Sequence, residues 1–250
     1  MNQYLAIDVG ATGIKGAIID VETGKLQTER IKLDTPKPAT PIRIADTIDQ
    51  LVKEIGWDSK DIGIGFPAII KNGLCLTASN IDESWINIDI PQLIKDRSGF
   101  YAHVLNDADA AGIAEMTYGK GKGVKGTVIM LTLGSGIGSA FFKDGHLLPN
   151  IELGRMFYRE SVAEHYASNS ARKNKGLSWD LYGKELNDFL EYTDRIFSPD
   201  LMIIGGGISK KFEKYSQYLN PNLKVTPAAF QNNAGIIGAA MFAAQNIKNG

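Results

Sequence analysis

The sequence predicts an α/β protein made of two similar lobes around a cleft, and three observations support that prediction. Residues 4–19 read as a buried strand, a glycine-rich turn and a second apolar strand. The same pattern returns at residues 128–142. Around these hairpins, apolar strands alternate with segments whose apolar residues recur at helical spacing, which is typical of α/β layers.

The composition is that of an ordinary globular protein and excludes several kinds of site. Of the 250 residues, 44% are hydrophobic and 22% are charged. The net charge of −1 gives no electrostatic argument for a nucleic acid or an anionic membrane as partner. The single cysteine, Cys75, excludes an intramolecular disulfide and a cysteine-based zinc site. Because the sequence shows neither a signal peptide nor a membrane-spanning run, we expect a cytoplasmic protein.

The turn of the first hairpin suits a phosphate group. Glycines in Gly10-Ala11-Thr12-Gly13 let backbone N–H groups face an anion, because no Cβ blocks its approach. Asp8 ends the first strand and Lys15 begins the second, so both side chains can face the mouth of the turn. A carboxylate, the Thr12 hydroxyl and an ammonium group suit a phosphate with a divalent cation. The alternative is an ordinary hairpin whose charges are solvated.

The next elements follow from apolar periodicity. A third strand over 26–33 completes an antiparallel meander. Thr40 then caps a helix whose first residue is Pro41 and whose apolar residues form one face. A further strand covers 62–66.

Residues 71–98 are less regular. Asn72-Gly73 predicts a tight turn. Polar residues then surround Trp85 over 79–85, which is typical of a surface loop. The alternative is sugar recognition, since sugars need amide and carboxylate hydrogen bonds and a flat apolar wall. A helix over 91–97 leads to the next strand.

Asn106 and Asp107 follow the strand over 101–105 and precede a segment of helical composition. In open α/β sheets, ligands collect at this junction of a strand's end and a helix's beginning. The alternative role for Asp107 is to cap the helix, a role that Asp109 can share. One residue can serve both purposes.

The linker over 119–126 carries Lys120, Lys122 and Lys125. It contains a G-x-G-x-x-G pattern, but it follows a helix and precedes a strand, the reverse of the dinucleotide-binding arrangement. We therefore interpret these lysines as solvated; contact with a long polyanion is the less favoured alternative.

The second hairpin matches the first across strand, turn and strand. With Gly134 placed on Gly10, Thr132 falls on Asp8 and residues 140–142 fall on 16–18. This match indicates an internal duplication.

The segments after the second hairpin alternate between helices and a strand. They are a helix over 162–173, a long helix capped by Ser178 and ending by 197, a strand over 201–204, Gly205-Gly206-Gly207, a helix over 210–218 capped by Ser209, and a C-terminal helix of small residues. The glycine triplet permits close approach of a phosphate or a nucleotide base.

Taken in order, these motifs resemble the ROK family of sugar kinases. The resemblance rests on the first hairpin, Asn106-Asp107, Gly134-Ser-Gly-Ile-Gly138, Glu152-Leu-Gly154 and Gly205-Gly-Gly207. The segments Thr77-Ala-Ser-Asn-Ile-Asp82, Leu177-Ser-Trp179 and Phe197-Ser-Pro-Asp-Leu201 are similar to the polyphosphate glucokinase branch. The family has the two-lobed actin-like ATPase (ribonuclease H-like) fold, which implies a small lobe of residues 1–105 plus helix 235–250 and a large lobe of residues 106–234.

The resemblance also implies roles for individual residues. Asp107 would be the general base for the sugar 6-hydroxyl in phosphoryl transfer. Sugar hydroxyls would be held by Asn80, Asn106, Glu152 and Glu164. Phosphates would be cradled by Gly10, Thr12, Lys15, Gly134, Ser135 and Gly136, and a nucleotide would lie near Gly205, Gly206 and Gly207. Asp8 would orient Mg²⁺ through water.

Three departures from the family pattern are visible. Ala11 stands where glycine is usual, which is tolerable if its φ is negative. The zinc-binding cysteines of many members are missing, so no zinc is expected. Arg155 replaces the histidine that binds sugar, and arginine is longer, always charged and a pure donor.

The expected activity is transfer of a terminal phosphoryl group from polyphosphate or ATP to the 6-hydroxyl of glucose, by a homodimer. Because of Arg155, the alternatives are a kinase for another hexose, an amino sugar or an acidic sugar, or a catalytically weak sugar-sensing protein. A DNA-binding repressor is disfavoured because the chain enters its first strand at Gln3. An actin-like filament protein is disfavoured by the short chain and the polar loop.

Overall fold

The computed structural model describes residues 2–78 and 81–249, which form two compact units. The first unit contains the residues up to 114 together with those from 233 onward, and the second contains residues 115–232. Among the described residues, no helix combines the length and hydropathy that crossing a bilayer requires.

The first unit contains eight strands and four helices in its described part. The strands are β1 (Gln3–Gly10), β2 (Gly13–Asp20), β3 (Lys25–Leu26), β4 (Ile31–Leu33), β5 (Asp61–Phe66), β6 (Ile70–Lys71), β7 (Leu74–Cys75) and β8 (Tyr101–Asn106). The helices are α1 (Pro41–Ile55), α2 (Ile90–Ser98), α3 (Asp107–Tyr118), which continues into the second unit, and α7 (Ala234–Asn249).

The main sheet of the first unit has the order β3-β2-β1-β5-β8, and β4 also pairs with β2. β1 is antiparallel to β2 but parallel to β5, which in turn is parallel to β8. α7 packs on β1 and β5 so closely that a Cβ at Gly63 would meet the Ala239 carbonyl oxygen at 2.2 Å. The small residues of α7 therefore serve the close packing that the sequence predicted.

The second unit repeats this architecture. Its strands are β9 (Thr127–Leu133), β10 (Ile137–Lys143), β11 (His146–Leu148), β12 (Phe157–Tyr158), β13 (Ser161–Val162), β14 (Leu201–Gly205) and β15 (Val225–Pro227). Its other helices are α4 (Glu164–Ala167), α5 (Asn169–Asn174) and α6 (Trp179–Phe197). The main sheet has the order β11-β10-β9-β14-β15.

The two sheets share strand order and strand direction. In each, an antiparallel meander of three strands is followed by two parallel strands. The register also agrees: Asp8 of β1 lies opposite Gly65 of β5, and Thr132 of β9 lies opposite Gly205 of β14. The predicted duplication and the actin-like fold class are therefore confirmed.

The two hairpin turns differ in length. Val9 pairs with Ile14, which leaves four residues between them in the first hairpin, whereas the equivalent pair Leu133 and Ile137 leaves three in the second, so the second connection is shorter by one residue. Beyond the turn, the alignment made from the sequence is therefore wrong by one residue. Ser139, opposite Leu131, takes the place that the sequence alignment assigned to Ala140.

Three predicted elements are divided in the structure. The strand over 26–33 is two short strands, β3 and β4, and the helix over 162–173 is β13 followed by α4 and α5. The helix over 210–218 consists instead of two 3₁₀ segments, Ser209–Lys214 and Ser216–Tyr218. The residues of the two predicted helices are compatible with a helix, but helix propensity is a weak preference that the rest of the fold overrides.

Trp85 and Cys75 belong to the core of the first unit. Trp85 is fully buried, packs on Phe66 with ring centroids 4.6 Å apart, and donates its indole N–H to the Ala39 carbonyl at 2.8 Å. The alternative in which the Trp85 ring forms the apolar wall of a sugar site is therefore wrong, because the ring is buried in the core and cannot contact a ligand. Cys75 is buried as predicted, and burial raises the pKa of its thiol.

Candidate active site

The first hairpin places two opposite charges across its strands. Asp8 and Lys15 are paired in the β1–β2 ladder, and their carboxylate and ammonium groups are 3.1 Å apart. Both side chains are partly buried, at 18% and 25% exposure. Both therefore stay accessible to a ligand at the mouth of the turn while neutralising each other without one.

The turn itself presents backbone and one hydroxyl. Ala11 and Thr12 are exposed at its tip. Ala11 is not among the described residues with positive φ, so its methyl group fits where the family usually has glycine. The Thr35 hydroxyl donates to the Gly10 carbonyl at 2.5 Å, which braces the turn from the side. Nothing in the sequence pattern predicted this hydrogen bond.

The beginning of α7 lies against Asp8. A Cβ at Gly235 would meet the Asp8 carboxylate oxygen at 3.3 Å. The carboxylate therefore lies within reach of the partial positive charge at a helix N-terminus.

Asn106 and Asp107 stand at the junction of β8 and α3. The Asn106 side-chain oxygen accepts the backbone N–H groups of Ala108, at 2.8 Å, and Asp109, at 3.1 Å, while its amide donates to the Ala68 carbonyl. The buried Asn106 is thus the main cap of α3, the role that the alternative interpretation gave to Asp107 with Asp109 sharing it. Asp107 Oδ1 also accepts the Ala108 N–H at 2.8 Å.

Asp8 and Asp107 belong to the same edge of one sheet. Asp8 lies opposite Gly65, and Gly65 lies opposite Leu105, two residues before Asp107. A Cβ at Gly65 would lie 3.7 Å from the Asp107 Cα, so the beginning of α3 crosses directly over β5. The carboxyl ends of three parallel strands therefore assemble the acidic half of the candidate site.

The second hairpin is shaped by contacts from α4 and α5. Within its turn, the Gly134 N–H donates to the Gly136 carbonyl at 3.0 Å, and Ser135 is exposed at the tip. The Ser170 N–H of α5 donates to the Gly134 carbonyl at 3.1 Å. Glu164 of α4 accepts the Ile137 N–H at 3.3 Å, and a Cβ at Gly136 would lie 2.3 Å from that carboxylate.

Ser139 holds the segment that carries Glu152. Its buried hydroxyl donates to the Ile151 carbonyl at 2.5 Å and accepts the Leu153 N–H at 2.8 Å. A Cβ at Gly154 would meet the Ile137 carbonyl oxygen at 2.2 Å, so only glycine lets this segment lie so close to β10. Ser139 was not recognised from the sequence, although its place in the second hairpin is a usable signal.

The second unit brings Glu152, Arg155 and Glu164 into one electrostatic group. Burial raises the pKa of the Glu152 carboxyl; Arg155 opposes that rise and Glu164 adds to it. The exposed Arg155 ends the 3₁₀ segment Leu153–Arg155, and its side chain makes no hydrogen bond or ion pair with the described residues of its own unit. It is therefore available to a ligand.

The glycine triplet lies beside the second hairpin. Gly205 ends β14 opposite Thr132, Gly206 has a φ of +75°, and a Cβ there would meet the Leu133 carbonyl oxygen at 2.7 Å. Gly207 is exposed and faces open space. The Ser209 hydroxyl donates to the Gly206 carbonyl at 2.8 Å and so holds the loop, where the sequence had predicted a helix cap.

Each unit thus assembles its own share of the predicted residues. Asp8, Gly10, Thr12, Lys15, Asn106 and Asp107 lie at one sheet edge of the first unit, and Gly134–Gly136, Glu152, Arg155, Glu164 and Gly205–Gly207 lie in the second. Asn80 lies outside the described residues. Among those described, no group of three or more His, Cys, Asp or Glu side chains is arranged to hold a metal ion.

Comparison with known proteins gives a consistent set of relatives. A sequence profile of the ROK family matches residues 4–149. The chain is 43% identical to the polyphosphate glucokinase of Mycobacterium tuberculosis (strain H37Rv), covering 94% of this chain and 89% of that protein.

Solved structures agree. The inorganic polyphosphate/ATP-glucomannokinase from Arthrobacter sp. strain KM superposes with a TM-score of 0.95 at 45% identity, covering 98% of this chain and all of that one. The ROK family glucokinase from Streptomyces griseus, solved with glucose and AMPPNP, superposes with a TM-score of 0.82 over 97% of this chain and 99% of that one. At 24% identity, the latter similarity supports the fold alone.

Proposed function

This chain belongs to the ROK family, and from that premise we propose that it transfers the terminal phosphoryl group of polyphosphate or ATP to the 6-hydroxyl of glucose. The observation that carries the proposal is the position of Asp107. Its carboxylate stands at the carboxyl edge of three parallel strands, on the same edge as the Asp8–Lys15 pair.

Asp107 acts as the general base. It accepts the proton of the sugar 6-hydroxyl as that oxygen bonds to the terminal phosphorus and the bond from phosphorus to the donor chain breaks. The products are the sugar 6-phosphate and either ADP or a polyphosphate shorter by one unit. The hydrogen bond from the Ala108 N–H to Asp107 Oδ1 fixes the position of the carboxylate.

The sugar is held by hydrogen bonds to its hydroxyl groups. Glu152 and Glu164 accept from sugar hydroxyls, and the Asn106 amide has a second hydrogen beside the one given to Ala68. Asn80 has the same role by resemblance. Ser139 places Glu152, because both backbone groups that flank Glu152 are bonded to its hydroxyl.

The phosphates of the donor are bound mainly by backbone. Gly10, Thr12 and Lys15 of the first hairpin and Ser135 and Gly136 of the second contribute N–H, hydroxyl and ammonium donors, and Gly134 holds the second turn in shape through its own N–H. When the donor is ATP, Gly205, Gly206 and Gly207 accommodate the nucleotide, since the exposed Gly207 leaves open space there.

Asp8 fits a magnesium ion that arrives with the donor. Mg²⁺ is usually held by one or two carboxylates, several waters and the substrate phosphates, so a single carboxylate without a protein cage is an appropriate donor set. Asp8 would hold the ion through water, and Lys15 keeps that carboxylate oriented. Bound Mg²⁺ supplies charge neutralisation of the phosphates. Zinc has no part in the proposal.

A second candidate function follows from Arg155. Its exposed guanidinium lies near Glu152 without a hydrogen-bonding partner among the described residues of its unit, so it suits a sugar with an acidic or otherwise altered substituent. On this reading the protein phosphorylates another hexose, or binds sugar and turns it over weakly. We further propose, on resemblance alone, that the protein works as a cytoplasmic homodimer.

A coupled assay that crosses several sugars with ATP and polyphosphate tests the proposal. We expect phosphorylation of glucose with at least one donor, and tighter glucose binding in Arg155→His if arginine obstructs the usual contact. Transfer to an acidic or amino sugar but not to glucose would support the second candidate. Absence of transfer with every pair would refute the kinase proposal.

A further inference from the structure

Two segments of the second unit concentrate positive charge. Residues 165–179 contain Arg172, Lys173 and Lys175 but neither aspartate nor glutamate. The 3₁₀ segment Ser209–Lys214 adds three lysines against one glutamate. In the part of the chain that the structure describes, none of these six cations forms an ion pair. This local excess contrasts with the net charge of −1 for the whole chain.

The two segments converge on one aromatic ring. The Arg172 Cζ lies 4.3 Å from the centroid of Trp179, and the Lys214 Nζ lies 5.8 Å from the same centroid. Arg172 is held in place by the Leu177 carbonyl and the Asn169 side chain. Two cations gathered at one ring repel each other, and a bound anion relieves that repulsion.

Both segments begin at the glycine loops of the candidate site. α5 begins where the Ser170 N–H binds the Gly134 carbonyl, and its six residues extend it by only about 9 Å. The 3₁₀ segment begins where the Ser209 hydroxyl binds the Gly206 carbonyl. The cations of both segments therefore continue outward from the loops proposed to hold phosphate, within one compact unit.

The lysines of the 119–126 linker lie elsewhere. The linker leads into Thr127 at the beginning of β9, whereas the Gly134 turn follows the other end of that strand. Seven residues of strand span about 20 Å, so the linker lysines belong to the opposite edge of the sheet. They carry similar charge without proximity to the glycine loops, which makes them a matched control.

We propose that the Trp179 cluster, defined as Arg172 and Lys214 at that ring together with Lys173, Lys175 and Lys211 of the same two segments, binds the distal phosphates of an extended inorganic polyphosphate. The inference rests on the proposed function, in which the terminal phosphate of the donor lies at the glycine turns. Exposed lysines on flexible stems suit a polymer that presents the same charge at every unit. A nucleobase has no open platform there, because Trp179 already stacks on Tyr215 and lies under Arg172.

The test compares two double variants of the full chain. Lys175→Gln/Lys214→Gln removes one exposed lysine from each segment, whereas Lys122→Gln/Lys125→Gln removes two from the linker. Equilibrium binding of long-chain polyphosphate is measured at fixed ionic strength, and steady-state kinetics compare that polymer with tripolyphosphate. We expect about tenfold weaker binding in the first variant, since two charge contacts are lost, and parental binding in the second. The KM for the polymer should rise more than the KM for tripolyphosphate.

Three results would overturn the inference. They are no polyphosphate binding by the parent chain, equal weakening in both double variants, and displacement of the polymer by a single-stranded oligonucleotide of equal charge at equal concentration. The binding titration does not depend on catalysis. The two proposals can therefore fail separately. Absence of transfer with every donor would refute the kinase proposal, whereas the binding titration alone decides whether the Trp179 cluster binds polyphosphate.

Discussion

The two glycine hairpins share a backbone plan but differ in where their charge resides. In the first, Asp8 and Lys15 lie in the strands themselves, directly across the ladder. In the second, the equivalent positions are Thr132 and Gly138, and the carboxylate comes instead from Glu164 on a separate helix. The two sheets are therefore alike while the chemistry of their hairpins differs. The first hairpin carries its charged groups on its own strands, whereas the second has backbone donors beside a carboxylate from another helix.

The largest expected effect is on turnover, and it tests whether the general base is Asp107 of the first unit and not a carboxylate of the second. Asp107→Asn keeps an oxygen for the Ala108 N–H but cannot accept the proton, so turnover should fall by about 10²–10⁴-fold. Sugar affinity, measured by calorimetry, should stay near the parental value. By contrast, Glu152→Gln and Glu164→Gln should act mainly on the sugar KM. Parental turnover in Asp107→Asn would remove the proposed mechanism.

A smaller effect, on stability, tests the contact between the Glu164 carboxylate and the second hairpin. Gly136→Ala places a Cβ 2.3 Å from Glu164 Oε2, so the carboxylate must leave the turn and lose its hydrogen bond from Ile137. We expect the free energy of unfolding in urea to fall by about 1 kcal/mol, because a flexible side-chain end can move.

Gly134→Ala is the matched control for that substitution. No atom of the described residues lies within 4 Å of a Cβ built there, so stability should change by less than about 0.5 kcal/mol. Added to Glu164→Ala, the Gly136→Ala substitution should cost much less than it does in the parent, since the obstructing oxygen and its hydrogen bond are already gone. Equal destabilisation by the two glycine substitutions would show that backbone freedom, and not the carboxylate, shapes this turn.

The smallest expected effect concerns pH. Burial raises the pKa of Glu152, Arg155 lowers it and Glu164 raises it, and the ionised carboxylate is the form that accepts sugar hydroxyls. The acid limb of kcat/KM for sugar should therefore move to lower pH in Glu164→Gln and to higher pH in Arg155→Gln. Profiles from about pH 4 to 8 cover the relevant carboxyl range. Shifts in the same direction would contradict the electrostatic grouping of these three residues.

Much of the site could be predicted because its residues lie in short, ordered motifs. Asp8 and Gly10 lie on the first strand of one hairpin and Lys15 on the second, and Asn106 ends a strand where Asp107 begins a helix, so local spacing predicted their positions in the fold. The sugar-recognition alternative for Trp85 failed because a polar loop around an aromatic residue has the same sequence pattern whether the ring faces a ligand or the core. Ser139 escaped notice, and the close approach of Gly154 to β10 was not predicted, because both depend on segments that meet only in the folded unit.

The sequence by itself determined the duplication, the order of the main elements along the chain and the chemical types at each hairpin, since periodicity and glycine turns are local properties of the chain. Tertiary structure decided the rest. It placed Glu164 against Gly136, brought Lys214 to Trp179 and bound the Asn106 amide to the Ala68 carbonyl. Each of these depends on contacts between segments distant in sequence, whose geometry comes from packing and not from propensity.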